Sequence, residues 1–585
     1  GAGGGYALQL AGNTGVSVIA ENVITDAWAD FYTSALNNAS KLNNGAVPAD
    51  LPCSLSNRQV PSNWPADVWC GHPNSILNVS RNLGLSYLVT GEAQFLSAVQ
   101  IYADLLVSVP RDSGGDYSQA GRIEAMGIIY DWFFSNLSDA QKAALSGAIM
   151  DTIKFQETSI CGSGKTITQD PAGWYCNDPA TPDFIGGHSH QNNTETTVGL
   201  LAIIDEHHEL DNILEVEYKN FVTGYNPARA WISVDGGHHM GWAYGAAYTF
   251  LDSIQLWKTA TNAVSMKDDW QGMLINRYIY ALRGDVVSFP VSGDGFALSP
   301  SNEFVTSFSL WGSRFHDNRI AQRFYNQWSL PLKSGNRFYE LLYWKPDLVE
   351  SPIEQQDLSK WFHNAGQVLM RDSWDYPNAT LLEFKSTSFM SVNHHHLDQN
   401  AFTLFYKAPL LIDSGYYGGL DEYGSDHWQN YYTRTIAHNT ITVFNPGEKF
   451  ARTMSKDYCN DGPSSVLCSN DGGQRFPGQR LPSVANPTLA DIMPNGANHL
   501  DGVTVYEYLP ELTYVVGNAS KAYDPDKLDQ NSGFLRSLVF LRAPGFWGKP
   551  VTVVFDKVTE SSGSAGPFVK RFLMHSVNEP LSFVG

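Results

Sequence analysis

Three consecutive histidines stand at 394–396 in the stretch SVNHHHLDQN. The run AFTLFYKAPLLIDSG that follows brings Asp413, and TRTIAHNTITVF later brings His438. A strand sends successive side chains to opposite faces, so an extended chain here would place His394 and His396 on one side and His395 on the other. Read as neighbouring strands, these segments bring together His396, Asp413 and His438, two imidazoles and one carboxylate. That is a donor set Zn2+ favours, with water or a buried polar group completing the shell, and it leaves His394 beside the ion but not on it. The same residues also fit a second arrangement, in which His396 and His438 are core histidines hydrogen-bonded to Asp413.

The elements that must hold these residues change character once along the chain. From about residue 20 to 345, segments such as AENVITDAWADFYTSALNNA, LGLSYLVTGEAQFLSAVQIYADLLVSV, SDAQKAALSGAIMDTIKFQ and MLINRYIYALRG repeat apolar residues at three- and four-residue spacing, which predicts a layered all-α assembly. After the polar stretch WKPDLVESPIEQQDLSK the texture turns to short β-branched and aromatic runs: GQVLMRD, ATLLEFKS, AFTLFYKA, NTITVF, TVYEYLPELTYVVG, RSLVFLR and PVTVVFDKV. These predict an antiparallel β-sandwich. The expected division is a helical domain over 1–345, a linker over 346–360 and a sandwich over 361–585, with no closing element evident at the final SFVG.

Composition narrows the partners. The 585 residues, 43% hydrophobic and 13% aromatic, suffice for full-sized cores. A formal charge of −21 without a basic run argues against nucleic acid or an anionic membrane as a general partner. No apolar stretch reaches the length of a transmembrane helix, and GAGGGYALQL lacks the basic and long apolar regions of a signal peptide, so the sequence reads as an exported protein already processed. The six cysteines form three local pairs, Cys53 with Cys70, Cys161 with Cys176 and Cys459 with Cys468; none has the spacing of a zinc knuckle, and disulfides are expected. Nothing in the sequence points to an oligomeric state.

The order and spacing of HHHLDQNAF, LIDSGYY and RTIAHNTITV resemble the heparinase II/III-like signature H-x-H-x-D-x-x-x-F, D-S-G, H-N-T. The match falls at His394, His396, Asp398, Phe402, Asp413, Ser414, Gly415, His438, Asn439 and Thr440. The resemblance implies a multidomain α+β fold, an incomplete (α/α) toroid followed by an antiparallel β-sandwich. It implies a structural zinc on His396, Asp413 and His438, with His394 facing substrate. In the helical half, DGGHHMGWAYGAAY is similar to the family's D-G-x-x-x-x-G-x-x-Y at Asp235, Gly236, Gly241 and Tyr244, which makes Tyr244 the expected catalytic tyrosine. GGHSHQNNTETTVGLL is similar to the family's polar helix start. It offers His190, then Asn192, for the substrate carboxylate, Asn193 as a further substrate contact and Glu195 where a nearby glutamate is usual; His239 of the DGGHH stretch is a second such contact.

The activity so implied is lysis of an anionic, uronate-containing polysaccharide, a glycosaminoglycan ranked ahead of alginate. Removing the weakly acidic C5 proton creates an enolate-like dianion, so donors such as Asn192 or a protonated His190 must meet the carboxylate. Tyr244 can act as base and then as the acid that protonates the leaving oxygen, and His394 can take the base role for a proton on the other ring face. A uronate C5-epimerase shares the first step and is the alternative; a non-catalytic glycan-binding protein is the third class.

Overall fold

Apolar residues spaced three and four apart wind the first half of the chain into helices. The computed structural model describes residues 25–45, 76–108, 116–162, 165–176, 184–186, 188–241, 251–261, 266, 268–290, 293–295, 298–332, 337–391, 394–418, 420, 425–448, 450–452, 459–460, 467–475, 487–542 and 548–578. The principal helices are α1 (Thr25–Asn43), α2 (Ile76–Thr90), α3 (Ala93–Ser108), α4 (Asp116–Phe133), α5 (Asp139–Phe155), α6 (His188–Ile203), α7 (Asp211–Asn220), α8 (Asp252–Thr261) and α9 (Glu303–His316). Helix α1 illustrates the rule, burying Ala27, Phe31, Ala35, Ala39 and Leu42 along one stripe. Ser138 and Gln141 close a reciprocal capping box at the start of α5, each side chain accepting the other residue's backbone N–H at 3.2 Å.

Two details depart from the sequence pattern. The long periodic stretch 83–109 is not one helix: Gly91, at φ +69°, donates its N–H to the Tyr87 carbonyl at 2.7 Å and ends α2, and α3 starts two residues later. A left-handed residue there is natural for glycine, which has no Cβ to clash. The helical half also contains a hairpin, β1 (Ile167–Asp170) paired with β2 (Gly173–Cys176), held to the preceding short helix by the Cys161–Cys176 disulfide. Of the other expected disulfides, Cys53 and Cys70 lie outside the described residues, as do the side chains of Cys459 and Cys468.

From Ser359 every paired strand among the described residues is antiparallel. Strands β3 (Ser359–Phe362), β4 (Gln367–Arg371), β5 (Leu381–Lys385), β6 (Ala401–Tyr406) and β7 (Ala408–Leu411) form a five-stranded sheet in sequence order. After β8 (Ile441–Phe444) come the short strands β9 (Phe450–Arg452), β10 (Cys459–Asn460) and β11 (Leu467–Cys468). Strands β12 (Gly502–Leu509), β13 (Leu512–Asn518), β14 (Phe534–Leu541) and β15 (Val551–Val558) make a second, four-stranded sheet, and β16 (Val569–Phe572) pairs with β8. Val368, Met370, Leu382, Phe384 and Phe402 from the first sheet meet Val515, Leu538 and Phe540 from the second in one core, a sandwich closed by its apolar faces. Contacts divide the chain into two units. The first comprises 1–227, 248–268 and 333–347, and the second 228–247, 269–332 and 348–585, so helical segments share the unit of the sheets. No helix among the described residues is long and apolar enough to cross a membrane.

In the first unit, α6 presents Asn193 to α7, where its amide donates to the Glu217 carbonyl at 3.0 Å and to the Glu217 carboxyl. Glu217 is only 1% exposed, and burial pushes its carboxyl up to about 8 against the opposing effect of the Asn193 amide. Because the folded value lies above the ordinary 4.5, the stability that goes with the neutral form is complete in acid and is lost as pH rises from that value through about 8. The loss is about 1.4 kcal/mol per pH unit inside the window. Glu217→Gln should therefore match the wild type near pH 5 and melt at progressively higher temperature than it towards pH 8; melting difference curves that stay parallel across that range would contradict the buried neutral carboxyl.

Candidate functional site

The histidine triplet lies in a loop that ends where β6 begins at Ala401, so strand alternation does not reach it and all three rings are buried. His395, expected on an outward face, is fully enclosed. Its Nδ1 accepts the Ser391 N–H at 3.2 Å, its Nε2 lies 3.3 Å from the Thr387 hydroxyl, and its ring packs edge-on to His239 and Phe389. Burial holds His395, His238 and His239 well below the ordinary histidine value, aided by neighbouring cationic groups such as Lys385 and Arg229, and the three rings are neutral at neutral pH.

His394 and His396 converge on a residue the sequence reading did not single out. His394 Nδ1 lies 2.8 Å from Asp294 Oδ2 and His396 Nε2 lies 2.8 Å from Asp294 Oδ1. Trp428 Nε1 donates to both carboxylate oxygens, at 2.9 and 2.7 Å. Asp294 is fully buried; burial alone would raise its carboxyl, but the hydrogen bonds and charges of His394 and His396 bring it down to about 2. The sequence signal that could have found it is the Gly-Asp-Gly at 293–295, both of whose glycines have positive φ, +67° and +149°. A Cβ on Gly293 would sit 2.8 Å from Gly241 Cα, so the glycine pair allows the close backbone approach that delivers Asp294. A five-residue π-helical turn, Trp428–Tyr432, completes the hold, because Tyr432 also donates its hydroxyl to the Gly293 carbonyl at 2.9 Å.

The remaining signature residues tie the neighbouring loops together. Asn439 donates to the Phe402 carbonyl at 2.8 Å and to the Ile412 carbonyl at 3.0 Å, which fixes His438 relative to Asp413. Arg536, buried, donates to the Asn400 and Asn439 carbonyls at 2.7 Å each and pairs with Asp556, linking the loop of His396 to that of His438. Gly415, at φ +105°, leaves room for the Tyr432 ring, which a Cβ would approach to 2.4 Å.

Within this frame His396, Asp398 and His438 each offer a buried donor atom, all within 4.8 Å of one another. His396 Nδ1, Asp398 Oδ1 and His438 Nε2 have no hydrogen-bond partner among the described residues. His438 Nδ1 sits 3.1 Å from Asp413 Oδ1 without a hydrogen bond's geometry, and Asp398 Oδ2 accepts the Lys385 ammonium at 2.6 Å. Two donors bound about 2.0–2.2 Å from one tetrahedral ion stand a little over 3 Å apart, so the Asp413–His438 contact has the spacing of two ligands to one metal. Buried polar atoms normally find partners, and the donor types here, imidazole and carboxylate, fit a zinc ion.

Tyr244, and Tyr248 near it, lie outside the described residues. The Asp235-Gly236 dipeptide of the same motif makes a turn: Asp235 Oδ2 accepts the His363 N–H at 2.8 Å, and Gly236, at φ +99°, passes so close to the Met273 carbonyl that a Cβ would come within 2.0 Å. His239 is sandwiched between the stacked His238 ring, 5.1 Å away, and Phe389, and belongs to the second unit with His394. His190, Asn192 and Asn193 lie on the first turns of α6 in the first unit, all buried. The His190 ring stacks on Tyr225 at 5.2 Å, and Asn193 is engaged by Glu217. Glu195 is buried in the same helix, its carboxyl raised by burial and by Glu124.

Helices followed by antiparallel sheets, with histidines and carboxylates buried in the loops of the second part, define a two-part helix-and-sandwich protein. Residues 354–479, the segment that contains His394, His396, Asp398, Asp413 and His438, match the family model Heparinase II/III-like, C-terminal. Solved structures that resemble it include a heparinase III gene product with methylated lysines, 13% identical, TM-score 0.42, covering 83% of this chain and 63% of that one. A heparan sulfate lyase HepC mutant from Pedobacter heparinus is 15% identical, TM-score 0.42, covering 86% and 64%. A chondroitinase AC lyase solved with oligosaccharides is 11% identical, TM-score 0.36, covering 92% and 66%. The chain therefore spans less than two thirds of those proteins' lengths. No curated protein sequence matches it.

The enclosure of His395 has a direct consequence. His395→Ala should lower the free energy of unfolding by about 1–3 kcal/mol, because the buried Ser391 N–H loses its acceptor and a ring-sized space opens beside His239. Urea titration measures this, and an unchanged midpoint would show that the ring is not part of the packed core.

Proposed function

We propose that the chain is a polysaccharide lyase that cleaves an anionic, uronate-containing polysaccharide by β-elimination and leaves a 4,5-unsaturated uronate end. The observation that carries the reading is the hydrogen bond between His394, inside the heparinase II/III-like segment, and the buried Asp294. A carboxylate that receives the Nδ1 proton of a histidine leaves the neutral ring's lone pair on Nε2, the arrangement of a general base. In this reading His394 Nε2 or the Tyr244 phenolate takes the C5 proton, and the Tyr244 hydroxyl protonates the departing oxygen. The carboxylate of the sugar is met by His190 or Asn192, whose donation stabilises the enolate charge. A glycosaminoglycan is the favoured substrate and alginate the next.

The same reading gives the chain a structural Zn2+ on His396, His438 and Asp413, with Asp398 the neighbouring carboxylate held by Lys385. When bound, the ion would cross-link the loops that carry these ligands and so stiffen the wall on which His394 stands. The Cys161–Cys176 disulfide supports an exported protein.

Incubating the purified protein with heparan sulfate, chondroitin sulfate, hyaluronan, alginate and ulvan should yield the ultraviolet absorbance of the conjugated product on one of them. Exchange of the C5 proton with solvent, chains staying intact, would instead mark an epimerase. Tyr244→Phe and His394→Ala should each fold normally and lose at least about 100-fold in turnover. If neither loses activity, the base and acid lie elsewhere.

Metal analysis tests the ion separately. About one zinc per chain is expected, strongly reduced in Asp413→Asn and His396→Ala and retained in Asp398→Asn. Zinc retained by Asp413→Asn but lost from Asp398→Asn would move the third ligand to Asp398.

A further inference from the structure

Asp294 lies outside the segment that the family model matches, yet it touches both histidines to which different roles fall. Its carboxyl is an ion: Trp428 donates to both oxygens, and a proton on either oxygen would pass to the more basic imidazole nitrogen 2.8 Å away. A carboxylate only accepts. Each ring nitrogen that faces it must therefore carry a proton, and in a neutral imidazole the other nitrogen must then carry the lone pair.

The two rings meet the carboxylate through different nitrogens. His394 uses Nδ1 and His396 uses Nε2. The lone pair of His394 is accordingly left on Nε2, while that of His396 is left on Nδ1, a buried nitrogen without a hydrogen-bond partner among the described residues. That Nδ1 is the only nitrogen His396 has left to join His438 and Asp398 in the donor cluster. We propose that Asp294 is a positioning residue that sets the tautomers of His394 and His396 in opposite senses, making one a base and the other a cation ligand. The assignment of those two roles rests on the lyase reading above; the tautomers themselves do not.

The supports of Asp294 fit this task. Its carboxylate is held by the Trp428 indole, its backbone by Tyr432 and by the Gly241–Gly293 approach, so the acceptor cannot turn away from either ring. Asp294→Asn tests the idea with almost no change in shape. A carboxamide has one oxygen and one NH2 group, so one of the two histidines must face a donor and shift its proton to its far nitrogen. If His394 shifts, its Nε2 becomes N–H and can no longer accept a proton. If His396 shifts, its Nδ1 becomes N–H and can no longer bind a cation.

The first measurement needs no variant of Asp294. In zinc-containing, 15N-histidine-labelled wild-type protein, long-range 1H–15N spectra, with signals assigned through His394→Gln and His396→Gln, should show His394 protonated on Nδ1 and His396 protonated on Nε2. Both rings in the same form would overturn the proposal. In Asp294→Asn, one of the two signals should change form. Turnover should fall at least about 100-fold with little change in KM if it is His394, and zinc content should fall if it is His396. A folded Asp294→Asn protein with both tautomers unchanged would also overturn it. Opposite tautomers in a protein that cleaves none of the five polysaccharides would uphold the role of Asp294 and reject the lyase reading, so the two ideas fail separately.

Discussion

A buried carboxylate must be surrounded by donors, and the second unit is arranged around that requirement at Asp294. Three side chains donate to its two oxygens, and none of the three comes from the segment that supplies the aspartate. His394 and His396 arrive from the loop before β6, Trp428 from a π-helical turn more than thirty residues later. The glycines at 293 and 295 have no other evident purpose than to let the chain turn sharply and approach Gly241. Neutralising one charge thereby determines where two histidine rings point and which of their nitrogens remain available.

The surrounding polar network extends the same logic outward. Asn439, Arg536 and Thr440 spend their donors on backbone carbonyls of the adjacent loops, Phe402, Ile412, Asn400 and Gln399 among them. Loops have no ladder of their own to satisfy such carbonyls, so buried side chains must do it. The effect is that the histidine loop, the Asp413 loop and the His438 loop are fastened to one another whether or not an ion is bound. An ion would then find donors already gathered, which lowers the ordering entropy of binding.

His395 and His239 show that histidine density alone says little about chemistry. Both are enclosed with their rings against Phe389, and burial keeps both neutral. They fill space between the 228–241 segment and the loop before β6, both within the second unit. Their neighbours in sequence, His394 and His238, sit against charged groups instead, Asp294 and Arg229.

Much of this was legible in the sequence, for a local reason: periodicity of three to four or of two is written in consecutive residues. It marked helix over α1, over α2 and α3 as one run, and over α5, placed strands β4, β5, β6, β8, β14 and β15 within a few residues of their observed ends with β12 and β13 as one run, and put the change from helix to sheet near 345–360. The order of His394, His396, Asp413 and His438 along adjoining loops was also local enough to read. Misreadings arose where a single residue overrode a pattern, as when Gly91 divided one periodic stretch into α2 and α3, or where alternation was carried beyond a strand, as at His395. The hairpin β1–β2 is too short to show any period. Only the tertiary structure could bring in Asp294, a hundred residues before His394, because a buried carboxylate is recognised by the donors around it and those are separated in sequence by up to 134 positions. Which nitrogen of each ring faces that carboxylate is likewise a fact of three-dimensional contact, and composition and spacing carry no record of it.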